Sequence, residues 1–250
     1  MTIKTAIAIV LACFTSAVLA QESATPIPSA TTEESPAGSV SPAESGTPSA
    51  TPEPTPSASP ERSIRISFVP PPLDGKISLG IYDAKGKLVR VLHKESDVNE
   101  FQIGADALVA HWDGRNDNGE DLPAGKYHAR GYLVGQLKVE DLTQAGAPHP
   151  ESSSNTSVKV KLTPNPLASD NRGIAELAAS YDKDGTYLKT FDGLPLLSVT
   201  KSSNVSHVSI TKNGDKSIDI WQSDDAGFHQ IRISNVDQMM AFDCGEFELK

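Results

Sequence analysis

The sequence predicts an all-β protein: two antiparallel β units behind an N-terminal signal and a disordered linker. Three observations carry this. Short segments from residue 64 onward alternate apolar and polar residues with period two. Turn chemistry recurs between them at roughly 8–12-residue spacing, the rhythm of a sandwich or barrel. The densest run of turn chemistry is Ala110-His-Trp-Asp-Gly-Arg-Asn-Asp-Asn-Gly-Glu-Asp-Leu-Pro-Ala-Gly-Lys-Tyr127, with β-type residues on both sides.

The chain opens on export chemistry. Lys4 supplies a positive n-region, residues 6–14 an apolar h-region, and Val18-Leu19-Ala20 a cleavage site before Gln21. The apolar run is shorter than a membrane span requires. A rival reading is lipidation, since Val10-Leu11-Ala12-Cys13 loosely resembles a lipobox. Cleavage near Ala20 is the favoured reading. It predicts a secreted or periplasmic protein with no membrane insertion after the signal is removed.

Residues 21–61 are a Pro/Ser/Thr/Glu-rich linker without an aromatic residue, and every charge in them is acidic: Glu22, Glu33, Glu34, Glu44, Glu53 and Glu61. Such a segment cannot bury enough apolar area to offset its chain entropy. Proline stiffens it toward polyproline II, so about 40 residues reach on the order of 120 Å. It is either a stalk or a plain spacer. Its Ser/Thr/Pro content also suits O-glycosylation, a hint from composition alone.

Charge and cysteine count bound the rest. The formal net charge of -10 argues against a sequence-independent nucleic-acid binder and against docking on anionic lipid. The 2 cysteines are Cys13 and Cys244. Cleavage near Ala20 leaves one thiol and no internal disulfide. The apolar context Met240-Ala-Phe-Asp-Cys244 predicts that Cys244 is buried rather than paired between chains.

The first β unit is expected over residues 62–138. Ile64, Ile66 and Phe68 alternate against Arg65 and Ser67, and the prolines at 70–72 end the strand. Asp74-Gly75 turns the chain. Ile77, Leu79 and Ile81 form one face of the next strand, with Ser78, Gly80 and Tyr82 on the other. Asp83-Ala-Lys-Gly86 is a hairpin connection, with glycine at the left-handed position, and a return strand follows over 88–92. Strands over 109–112 and 126–134 flank the turns Asp113-Gly114 and Asn118-Gly119.

Three blocks of this unit carry a family resemblance: Ile81-Tyr-Asp-Ala-Lys-Gly-Lys-Leu-Val-Arg-Val-Leu92, then Trp112-Asp-Gly-Arg-Asn-Asp-Asn-Gly119, then Leu122-Pro-Ala-Gly-Lys-Tyr127. Together they resemble the FlgD-type immunoglobulin-like domain of bacteria, over residues 64–134. The resemblance implies an immunoglobulin-like β-sandwich used as an accessory module on exported proteins, without catalytic residues. Where the flagellar hook-capping protein of that family has a hook-assembly segment, this chain has a signal peptide and a Pro/Ser linker.

A second linker is expected over 139–157 and a second β-rich domain, of no recognised family, over 158–250. Strands are expected over 158–162, 187–191, 194–200, 205–211, 217–222, 228–234 and 239–249. Residues 174–181 fit either a helix or a strand, because Ile174, Leu177, Ala178 and Tyr181 lie at helical spacing. Asn213-Gly214 marks a hairpin.

The search for chemistry assigns no catalytic, cofactor-binding or metal residues. Gly114 and Gly119 have the spacing of a phosphate loop, but Glu120 follows where lysine is required. The 6 histidines have no clustered spacing, although adjacent strands would allow His111 and His128 to meet. Asp113, Asp117, Glu120 and Asp121 invite a calcium reading. Their spacing does not match an EF-hand loop, and acceptors of backbone hydrogen bonds in tight turns explain them better. Asp182 and Asp184 are read the same way. Trp112 is expected to anchor a core. Trp221 alternates with Ile218 and Ile220, and so is the better candidate for a contact residue. Asn155-Thr-Ser157 and Asn204-Val-Ser206 match N-glycosylation acceptors, a pattern usually accidental in bacteria.

The function expected is therefore that of an exported, non-catalytic binding or structural module of the bacterial cell envelope. It has no cofactor and no nucleic-acid partner, and engages a protein or a glycan. One alternative is a secreted hydrolase or hydrolase accessory subunit, whose candidates are Asp182, Asp184, Asp192, Asp224, Asp225, His207 and His229. The other is a flagellar or export-apparatus accessory protein.

Overall fold

Period-two sequence becomes strand where one face can be buried, and most of the fifteen strands among the described residues are of this kind. The computed structural model describes residues 62–143, 156–168 and 172–250. The signal peptide with its rival lipobox cysteine, the linker over 21–61, residues 144–155 and the Asn155 acceptor lie outside the described residues. The strands run β1 (Ile64–Phe68), β2 (Lys76–Asp83), β3 (Leu88–Ser96), β4 (Gln102–Ile103), β5 (Leu108–Trp112), β6 (Gly125–Val134) and β7 (Lys138–Asp141). They continue as β8 (Val158–Lys161), β9 (Ile174–Asp182), β10 (Gly185–Thr190), β11 (Pro195–Ser198), β12 (His207–Lys212), β13 (Ser217–Asp224), β14 (Gly227–Ser234) and β15 (Met239–Leu249). The fold is all-β, and every strand pairing is antiparallel. Among the described residues no helix is long and apolar enough to cross a membrane.

Four sheets result, with strand orders β1-β5-β4, β15-β6-β2-β3, β11-β10-β9-β8 and β12-β13-β14-β7. The first two form a sandwich. Ile66, Phe68, Leu108, Ala110 and Trp112 from one sheet meet Ile77, Leu79, Ile81, Ala129 and Phe242 from the other. The last two sheets share a second core, made by Val160, Leu177, Leu188, Leu196, Ile210, Ile218, Ile220 and Ile233.

The expected hairpin turns form. Gly86, Gly119 and Gly214 all take positive φ, at 79°, 80° and 75°, a region that disfavours any residue carrying Cβ. The ambiguous segment over 174–181 is a strand. It pairs with β8 on one side and β10 on the other, because Ala175 and Leu177 are needed in the second core.

Three features depart from the sequence reading. First, β2 is buried on both faces: Ser78 and Tyr82, expected to face away from the core, are 0% and 1% exposed. The outer face of its sheet carries Leu88, Val91, Val134, Met239 and Ala241 into the second core. Second, residues 139–141 lie in the expected second linker but, with Lys138, form an edge strand on β14, with Val139 opposite Ile233. Lys138-Val-Glu-Asp141 holds one apolar residue, so no alternation shows in its sequence. Third, β15 lies in the expected second domain but pairs with β6, Phe242 opposite Gly131 and Phe247 opposite Tyr127. Strands β7 and β15 thus cross in opposite senses between the two halves, which share one compact unit.

Candidate functional site

The acidic run after Trp112 does turn work. Asp113 Oδ1 accepts the Arg115 N–H at 3.0 Å, and Asn116 Oδ1 accepts the N–H groups of Asn118 and Glu120, both at 2.9 Å. Asp117 Oδ1 accepts the Val91 N–H at 2.9 Å, tying the loop to β3. Glu120 accepts from the Asn116 amide at 2.7 Å, and Asp121 pairs with Arg115 at 3.1 Å. Asp182 Oδ1 likewise accepts the Asp184 N–H at 2.8 Å. These are the local side-chain-to-backbone bonds that make Asx turns.

The two histidines that strand pairing would have let meet do not. His111 lies on β5, bonded to Ser63 and Gln102 at 3.4 and 3.2 Å. His128 lies on β6, 2.7 Å from Asp243. They sit in different sheets of the first sandwich. Trp112 is 1% exposed, donates its indole N–H to the Arg115 carbonyl at 2.8 Å, and packs edge-on against Tyr127 and Phe247.

Of the hydrolase candidates, Asp224 and His229 come together across the tight β13–β14 hairpin, 3.0 Å apart. Ser202 also reaches this carboxylate, at 3.3 Å, and the Gln222 amide donates to it at 3.0 Å. Gln222 Oε1 in turn accepts the hydroxyls of Thr186 and Thr200, at 2.7 and 2.8 Å. Nucleophilic catalysis needs a hydroxyl donating to the base. Here the serine hydroxyl donates to the carboxylate, so the group reads as a polar clasp between two sheets. Asp182 and Asp184 line a cavity of 390 Å³ with Lys94, Tyr187 and Lys201. Asp192 stands 3.7 Å from Arg130, while Asp225 and His207 are exposed.

A different constellation stands on the outer face of the sheet β12-β13-β14-β7. Ile218, Ile220 and Ile233 point into the core, so the alternate residues face out. The hairpin register places Asp219 opposite Arg232, Trp221 opposite Gln230 and Ser223 opposite Phe228. Asp219 is 6% exposed. Its carboxylate accepts two parallel bonds from Arg232, at 2.8 and 2.9 Å, and one each from Gln230 and Asn213, both at 3.0 Å. Burial acts to raise its pKa, but the bonds from Arg232, Gln230 and Asn213 outweigh it and hold the carboxyl below its ordinary range. The bonds it donates to Asp219, ahead of an opposing effect of burial, raise Arg232 in return.

Half-buried Trp221 adjoins this array, its indole N–H 3.3 Å from Thr211 Oγ1. Phe228, 53% exposed, is its diagonal neighbour, and exposed His207 flanks Ser223 from the other side. Each amide donates N–H to Asp219, which leaves its carbonyl oxygen turned away from the carboxylate as an acceptor. The face thus combines two aromatic rings with planar polar groups locked in place.

Sequence reasoning singled out Trp221 and missed its companions. The signal was present: opposite charges at 219 and 232 stand symmetrically about the two-residue turn Asp225-Ala226. Neither a family model, nor a curated protein, nor a solved structure matches this chain.

Proposed function

We propose that this chain is an exported, non-catalytic binding module of the bacterial cell envelope, and that it engages its partner through the outer face of β12-β13-β14. The observation that supports this most is the Asp219–Arg232–Gln230–Asn213 array beside Trp221 and Phe228. A fully bonded ion pair is a weak device for stability, since hydrophobic residues of the same volume often do as well. A rigid aromatic and polar surface is what recognition needs, because it binds without losing side-chain freedom. The resemblance of residues 64–134 to the FlgD-type immunoglobulin-like domain and the export signal point the same way.

The test compares the full chain with Phe228→Ala and Arg232→Ala against arrays of envelope glycans and purified envelope proteins. A ligand retained by the parent chain and lost by both variants is expected. Equal binding by all three would move the function elsewhere on the molecule. Turnover of chromogenic esters or glycosides that depends on His229 would replace this reading with the hydrolase one.

A further inference from the structure

We infer that the ligand of this face is an uncharged glycan. The inference rests on the binding-face proposal and adds the chemical class. Three features of the face select it.

The first is charge. Asp219 and Arg232 cancel each other through two parallel bonds, so the centre of the face presents no net charge. The chain as a whole carries -10. Acidic polymers are therefore repelled at long range and meet no compensating cation at the centre. The second is the shape of the polar groups. Asn213 and Gln230 are planar amides, each fixed by donation to Asp219 and each offering an acceptor oxygen. Adjacent sugar hydroxyls, which both donate and accept, match such groups. A peptide backbone would instead seek an open strand edge, and the strands that carry Asp219, Trp221, Phe228, Gln230 and Arg232, β13 and β14, are hydrogen-bonded on both sides.

The third is the aromatic surface. Trp221 and Phe228 lie on the same side of the sheet, diagonally adjacent across β13 and β14. The C–H-bearing face of a pyranose ring is apolar, and an aromatic ring is the apolar surface that fits it while the sugar edge stays hydrogen-bonded. The indole N–H bond to Thr211 holds Trp221 against rotation.

The experiment is affinity electrophoresis of the full chain through gels containing neutral polysaccharides (amylose, mannan, a β-1,3-glucan, a β-1,4-glucan) or acidic ones (alginate, polygalacturonate), at low and high salt. Retardation by at least one neutral polymer, unchanged by salt, is expected. Trp221→Ala should weaken it about tenfold or more, and Trp221→Phe should restore part of it. Phe228→Ala, a substitution at an exposed position, provides a second variant that leaves the core intact. Retardation by acidic polymers alone, falling with salt, would overturn the inference, as would no retardation by any neutral polymer. Capture of a purified envelope protein that Trp221→Ala abolishes would overturn the glycan class while leaving the binding face standing. Neutral-glycan binding indifferent to Trp221 and Phe228 would overturn the face itself.

Discussion

The ring of Phe242 fills the space that a side chain on Gly131 would occupy. A Cβ on Gly131 would stand 2.3 Å from Phe242 Cζ and 2.8 Å from both Cε atoms. The two residues are register partners across β6 and β15, and the same ring stacks on Phe68 at 5.1 Å. Gly131→Ala should therefore destabilise the protein by about 1–3 kcal/mol through overpacking. Phe242→Leu in the same chain should recover part of that loss, because the pair is coupled. Urea midpoints of the two single variants and the double variant measure this. Simple additivity would show that the contact is not the cause.

The corner between residues 123 and 127 gives a smaller, cleaner effect. Tyr127 donates its hydroxyl to the Pro123 carbonyl at 2.8 Å, as in the tyrosine corner of sandwich domains. Its ring packs edge-on against Trp112. Tyr127→Phe keeps the ring pair and removes the bond, costing about 1 kcal/mol. Trp112→Ala removes a fully buried side chain and should cost about 3–5 kcal/mol. Denaturant titration of both variants should preserve this order.

Truncation tests the shared architecture. A chain ending at Gln238 lacks β15, and with it Phe242, Phe247 and Leu249 from the first core and Met239 from the second. Both halves should lose cooperative unfolding together. A surviving sharp transition from either half, followed by near-ultraviolet circular dichroism, would show that it folds independently of β15.

The strands were legible in sequence because alternation and turn residues act locally. Ile77, Leu79 and Ile81 alternate whatever packs above them. What packs above them is not local, so the burial of Ser78 and Tyr82 was invisible. Gly80 now explains it: a Cβ there would stand 3.1 Å from Leu194, a residue of the other half. The membership of β15 was hidden for a related reason. Between Asp243 and Glu246 it carries a bulge at Gly245, φ 87°, so its inward residues change from even to odd numbers. A period-two reading fails at such a step. The proposed binding face was half legible, since Trp221 followed from parity on β13. Asp219 and Arg232 needed the register of the hairpin, which the turn at 225–226 sets.

Acid should weaken the Asp219–Arg232 array, which is intact at neutral pH. The depressed pKa of Asp219 means the folded state holds its carboxylate ionised more strongly than the unfolded chain, where the value is about 3.9. Its contribution is complete above that value and is lost as pH falls through the lower folded one. Asp224, where the bond from His229 leads those opposing burial, adds in the same direction. Asp219→Asn should lower stability by about 1–3 kcal/mol at neutral pH, since Arg232 loses its partner. The difference between variant and parent should shrink below about pH 4. Thermal melts across that range decide it. A constant difference down to the lowest pH would mean that the ion pair contributes nothing.

Cys244 should behave as a protected thiol. It packs against the first core from within the bulge, half-buried, and burial, followed by the charge of Asp243, pushes its pKa up to about 12. The thiolate is the reactive form, so its fraction near pH 8 is far below that of an ordinary thiol of about 8.5. Iodoacetamide should label the native protein slowly at pH 8, at a rate still rising well above pH 9. Unfolding in urea should bring labelling to the rate of a free cysteine. Gly131→Ala, by forcing Phe242 two residues away, should speed native labelling in proportion to its loss of stability. If labelling occurs only through global unfolding, every destabilising variant accelerates it alike. Acceleration confined to substitutions beside β15 would instead show that this strand opens by itself.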